Sequence, residues 1–302
     1  MAGLLLLCLL WSAGSLSTDL LPNLTPHLLP PLESQAIAFA LLAATATVAG
    51  FAHRARWPGL LLVEDAILVG LCLVVAPAIL LALAREWVSD LTRVAILSLV
   101  PVFTVVFEPY IGLGTGQHNR GGLPASLLAL VGTLCVFPLD TPRSLQAGIA
   151  VAAVFLAALC IAAANCWAVR VAVAMPGRSS APLAAIAGAT ASAGLALASL
   201  IAERVVLRWD AVAPELAWTG AAELPGLLLL FWLMRRMSAV RMTTRFVLAP
   251  LIASVAGLAL MRPTVDLRGW LGLLLMATGA AWLLLAPEES APQEDLSLKL
   301  TR

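Results

Sequence analysis

Ten stretches of about 20 residues are apolar enough to cross a bilayer, and only short charged breaks separate them. They run over 3–21, 34–52, 62–84, 91–112, 121–139, 145–169, 181–202, 212–234, 243–261 and 267–286. A chain of 302 residues with this pattern has no water-soluble solution: 61% of it is hydrophobic and 12% charged, whereas soluble domains carry about 25% charge. In lipid every span must satisfy its own backbone, and no segment alternates like a barrel strand, so the expected fold is an all-α membrane bundle of ten transmembrane helices. The opening MAGLLLLCLLWSAGSLSTDLLP has the small residues of a secretory signal but no basic leader, and its apolar run reaches Leu21. It reads as a retained first helix.

Arg and Lys set the orientation. With the N-terminus inside, eleven of the 18 basic residues fall on the cytoplasmic side, among them Arg54, Arg56, Arg170 and the cluster RRMSAVRMTTR, which holds Arg235, Arg236, Arg241 and Arg245. The expectation is an inner (plasma) membrane protein with both termini cytoplasmic and a disordered polar tail over 287–302. A net charge of +1 gives no reason to expect a nucleic-acid partner. The five cysteines sit in apolar runs without CxxC spacing and read as packing residues.

An internal recurrence divides the chain. Pro77 and Pro225 are 148 residues apart, Pro101 and Pro250 149, and Gly132 and Gly279 147; Gly122 and Gly269 each stand ten residues before the last pair. The shared offset pairs helices three with eight, four with nine and five with ten. It predicts a first repeat over 1–140 and a second over 141–286. Five is odd, so the second copy enters the membrane from the other side, and inverted repeats around a central site are typical of secondary transporters.

The segments VAILSLVPVFTVVFE and RGGLPASLLALVGTLCVF, with FVLAPLIASVAGLALMRP and RGWLGLLLMATGAAWLLL, resemble the paired helix-Pro-helix and Gly-turn-helix signatures of the drug/metabolite transporter superfamily, EamA type. LLLLCLLWSAGS with Trp11, and AAANCWAVRV with Trp167, resemble the first and sixth helices of that family. The resemblance covers about 280 residues. It implies two inverted five-helix repeats around a cavity that opens alternately to each side, and a carrier, usually an exporter of small metabolites. That family commonly has a Gly-Glu-Arg-like acid where helices four and nine end; here those places read GLGTGQHNRGG and LMRPTVDLRG, without Glu.

Polar residues inside the spans are the site candidates. Glu215, Thr219 and Glu223 follow i, i+4, i+8 spacing and are expected on one stripe of helix eight. Pro225 frees the carbonyl of Ala221 beside them. Glu223 has no acid counterpart in the first half, where Val75 stands, and reads either as a proton-coupling carboxylate or as a buried hydrogen-bonding group. Trp11, Ser12, Ser15, Asn165 and Trp167 pair aromatic walls with hydrogen-bonding groups, the composition of a small-molecule pocket. Glu108 marks either the end of helix four or the cytoplasmic mouth of a cavity. Arg93 reads as a partner of Asp90 or as an attractor of anions. Pro77, Pro101, Pro225 and Pro250 are structural helix breaks.

The three histidines lie in connections away from acid clusters, so no catalytic or metal constellation and no cofactor is expected. The leading expectation is a secondary active transporter, working as an exporter, of a small-molecule substrate such as an amino acid, by alternating access with or without protons, as a monomer or homodimer. A lipid or lipid-linked sugar flippase and a non-transporting membrane scaffold are the alternatives.

Overall fold

The structure, a computed structural model, describes residues 1–20, 29–111, 122–177, 179–203, 209–261 and 266–285, with side chains outside the description at 14–20 and 209–211. The polar tail and both places where the family's acid is expected therefore lie outside the described residues, at 286–302, 112–121 and 262–265.

All described elements are helical. Eight helices are long and apolar enough to cross a membrane: α2 (Pro31–Ala52), α3 (Leu60–Ala84), α4 (Asp90–Ile111), α6 (Leu145–Ala174), α7 (Ala181–Ala202), α8 (Val212–Met234), α9 (Ala239–Met261) and α10 (Leu267–Leu285). An integral membrane protein follows from them. Two further apolar helices are α1 (Ala2–Leu20) and α5 (Gly122–Val136). The 15 residues of α5 extend over about 22 Å, short of a hydrocarbon core of about 30 Å.

The helices pair across the chain. α2 packs on α7 and α5 on α10, while α1 packs on α9 and α4 on α6; α3 leans on α7, and α8 on α2. The α5–α10 contact explains two of the spaced glycines. A Cβ on Gly279 would lie 2.5 Å from the Ala129 nitrogen and 2.8 Å from the Ala125 oxygen, and one on Gly132 would lie 2.7 Å from the Gly272 oxygen. The backbones touch, and only glycine fits.

The prolines of α3 and α8 act through a wider turn than a simple kink. Leu71–Val75 and Thr219–Glu223 are π-helical, and both ends of the two segments are offset by the same 148 positions as Pro77 and Pro225. Each π turn closes just before its proline: Ala76 N–H donates to the Leu71 oxygen and Leu224 N–H to the Thr219 oxygen. A proline ring collides with the carbonyl four residues back, and inserting one residue into the ladder relieves that collision. Gly194 of α7 receives Val75 at the first π turn, where a Cβ would come 2.7 Å from the valine methyl.

α4 and α9 are interrupted differently. In α4 the break falls at Ser98 and Leu99, so Pro101 is the second residue of the next helical piece, Val100–Ile111, where a missing N–H costs little. In α9 it falls at Thr244, and Pro250 lies inside the following piece, Arg245–Met261. One connection is also well defined. Asp140, between α5 and α6, accepts hydrogen bonds from the hydroxyls of Ser89 and Thr92 at the start of α4, the latter at 3.1 Å. These bonds, Ser89 first, hold its carboxyl below the usual carboxylate range.

Candidate functional site

The polar centre of the bundle is built around Arg245, a residue the charge pattern assigns to a cytoplasmic connection. α9 begins at Ala239, four residues before the apolar run suggests, so Arg245 lies about 9 Å along a helix and only 2% exposed. Its Nη1 donates to the Met242 oxygen (2.9 Å) and its Nη2 to Asn165 Oδ1 (3.0 Å). The amide of Asn165 donates in turn through Nδ2 to the Ile161 oxygen (2.7 Å), which leaves Oδ1 facing the guanidinium. The ring of Phe246 lies 4.8 Å and that of Trp11 5.5 Å from the guanidinium carbon.

This arrangement makes the charge tolerable without neutralising it. A cation costs about 2.5 to 3.5 kcal/mol at the centre of a membrane helix, an upper bound for Arg245 in its second turn, and each hydrogen bond to a charged group returns about 1.5 to 3 kcal/mol. Arg245 Nε, however, is buried without an acceptor, and among the described residues no carboxylate pairs with Arg245. Most intramembrane arginines are paired with acids or backbone carbonyls. Here only the second kind of partner is supplied.

Neighbouring residues lock this centre between helices. Ser12 Oγ lies 2.7 Å from the Cys8 oxygen and 2.8 Å from the Ala249 oxygen, so α1 is tied to α9 one turn beyond Arg245. Cys166, next to Asn165, donates from Sγ to the Thr104 oxygen of α4 at 3.7 Å. Trp11 also rests on α8: a Cβ on Gly226 would meet its Nε1 at 3.2 Å. Four helices, α1, α6, α8 and α9, thus meet at one cluster. Trp167 is half-buried and packs against the main core.

A second polar group lies farther along α8. Glu215, 1% exposed, accepts a hydrogen bond from Ser34 of α2 at Oε1, while Oε2 is buried without a partner. The hydroxyl of Thr219, one turn on, is also buried and unpartnered. From Glu215 to Gly226 the helix covers roughly 16 Å, and Glu223 stands between. The expected stripe of three is broken here. A π turn is wider than an α turn, so residues four apart across Thr219–Glu223 no longer align; Glu215 and Thr219 face inward while Glu223 is half-buried.

The remaining candidates are placed as follows. Glu108 is half-buried near the end of α4, followed by Pro109 within the same helix. Arg93 forms an ion pair with Asp90. Ser15 belongs to α1, and its side chain is outside the described residues. Trp232 is turned outward beneath Arg236, whose guanidinium lies 4.0 Å above its ring. The cysteines are free thiols, with Cys8 and Cys166 buried.

No family profile and no curated protein matches the chain. It is similar to a solved structure described only as "Crystal structure of protein", with a TM-score of 0.71 and 17% identity over 93% of this chain and 94% of the other. At that identity the likeness shows a shared fold.

Proposed function

We propose that the protein is a secondary carrier of small metabolites, of the EamA type within the drug/metabolite transporter superfamily, with ten spans arranged as two inverted five-helix repeats. The observation that carries this reading is the cluster of the buried Arg245 and Asn165 with the half-buried Trp11, where α1, α6, α8 and α9 converge. A scaffold gives no reason to bury a cation that no carboxylate among the described residues pairs with, whereas a carrier needs polar groups inside the bundle that a substrate can engage.

The repeat is supported by the matched π turns of α3 and α8 and by the exchange symmetry of the packing, in which α1 on α9 answers α6 on α4. Glu215 and Thr219, buried polar side chains one turn apart on α8, add a second polar group inside the bundle. Proton coupling through Glu223 belongs to the same reading, as do an inner-membrane location and cytoplasmic termini.

Proteoliposomes test it. Uptake and efflux of a metabolite panel at two pH values should reveal at least one solute that moves faster than in protein-free vesicles, and a panel with no such solute in either direction removes the reading. One observation favours a flippase instead: an apolar groove between α2 and α7, lined by Phe51, Trp57 and Ile186, is open at the surface. Transbilayer movement of labelled lipids in the same vesicles decides between the two.

A further inference from the structure

We propose that Arg245 is the anion receptor of the carrier and that the substrate class is an organic acid with a single carboxylate and an apolar body. The proposal deepens the carrier reading and rests on it.

Charge is the first argument. Arg245 is a full positive charge, 2% exposed, with no carboxylate partner among the described residues. Guanidinium groups remain protonated in proteins, so the charge cannot be shed as a buried lysine can shed its own. A ligand bearing one negative charge neutralises the centre, and a dianion leaves one charge over.

Geometry is the second. Of the five N–H groups of the guanidinium, one is given to a backbone oxygen and one to an amide oxygen, both neutral acceptors, and the Nε proton has none. A carboxylate presents two oxygens that match adjacent guanidinium nitrogens, and the bond to a charged acceptor is roughly twice as strong as the bond to Asn165 that it would displace. Asn165 thus acts as a placeholder, releasing Nη2 when an anion arrives.

The walls supply the third argument. Trp11 and Phe246 flank the guanidinium with ring faces, so the part of the ligand beyond its carboxylate meets aromatic surface. Arg245 also stands alone within the repeat: the residue five positions before the matching proline, Pro101, is Ile96. The receptor belongs to one half only.

Ligand binding to the purified full-length protein in detergent tests the site without requiring transport. Benzoate should raise the melting midpoint by several degrees, and the isosteric neutral benzamide should not. Arg245→Gln should weaken benzoate binding by at least about tenfold, the loss expected when a charge-assisted pair is removed. Asn165→Asp gives a second test, because an internal carboxylate at the same position should occupy the guanidinium and abolish the benzoate response. Equal stabilisation by benzoate and benzamide overturns the proposal, even if both variants fail to fold. So does an unchanged benzoate response in either variant. Phenylalanine acting as well as benzoate extends the class to amino acids and keeps the receptor. Benzoate binding without flux of any solute in proteoliposomes removes the carrier and leaves the anion site; flux that is intact in Arg245→Gln removes the anion site and leaves the carrier.

Discussion

Arg245 of α9 and Asn165 of α6 are joined by a 3.0 Å hydrogen bond inside the bundle, and the amide is held in the accepting orientation by its own bond to the Ile161 oxygen. The pair connects two helices through residues 80 positions apart in sequence, and both side chains are buried. Replacing Asn165 with Ala should therefore lower stability by about 1.5 to 3 kcal/mol, the usual worth of a hydrogen bond to a charged group. Denaturation of the purified variant beside the wild type measures this, and an unchanged midpoint would mean that the bond contributes nothing.

The α5–α10 contact makes a sharper structural prediction. Gly279→Ala puts a methyl group 2.5 Å from the Ala129 nitrogen, and backbone cannot yield as a side-chain tip can. A loss of about 1 to 3 kcal/mol is expected from overpacking. Gly257→Ala is the control: nothing lies within 4 Å of its Cβ and the residue is helical, so the substitution should stabilise by about 0.5 to 1 kcal/mol. Paired thermal melts of the two variants check both signs.

Asp140 predicts a pH dependence. Its carboxyl is held below the ordinary value of 3.8 by the Ser89 and Thr92 hydroxyls, so the ionised form is the one stabilised by folding. That contribution is present above the unfolded value and is lost as pH falls through the lower folded value. Asp140→Asn should accordingly melt below the wild type at pH 7, and the gap should close on acidification beneath pH 3.8. Melting midpoints at a series of pH values test the sign; a gap that widens in acid would reverse it.

Glu223→Gln addresses coupling. Under the proton-coupled reading, flux driven by a pH gradient should fall at least about tenfold, while exchange without a gradient persists. Identical rates and identical pH profiles for the variant and the wild type would assign Glu223 a purely structural role.

Much of the architecture is legible from apolar length alone. The span 181–202 coincides with α7 and 212–234 with α8, because in lipid the backbone offers few alternatives to a helix. The glycine and proline offsets point correctly to special positions, since Gly132 and Gly279 share one contact and Pro77 and Pro225 each follow a π turn. The π turns themselves have no compositional signature, so the stripe of Glu215, Thr219 and Glu223 came out as three aligned residues when only two align. Arg245 was hidden for another reason. It closes the basic cluster RRMSAVRMTTR, and a charge count cannot distinguish an arginine of a loop from one already inside the following helix. The available signal was its neighbourhood: Phe246 and Val247 follow directly, and Ala249 and Pro250 lie within the next turn or so.

The π turn of α8 has a practical corollary. One surplus residue rotates everything after it by roughly 100° relative to an uninterrupted helix. α8 is therefore two helical wheels on a single rod, one that carries Glu215 and Thr219 inward and another that brings Gly226 beneath Trp11. α3 is built the same way around Leu71–Val75. A variant library or cross-linking scheme drawn on one continuous wheel would aim half of each helix at the wrong neighbour.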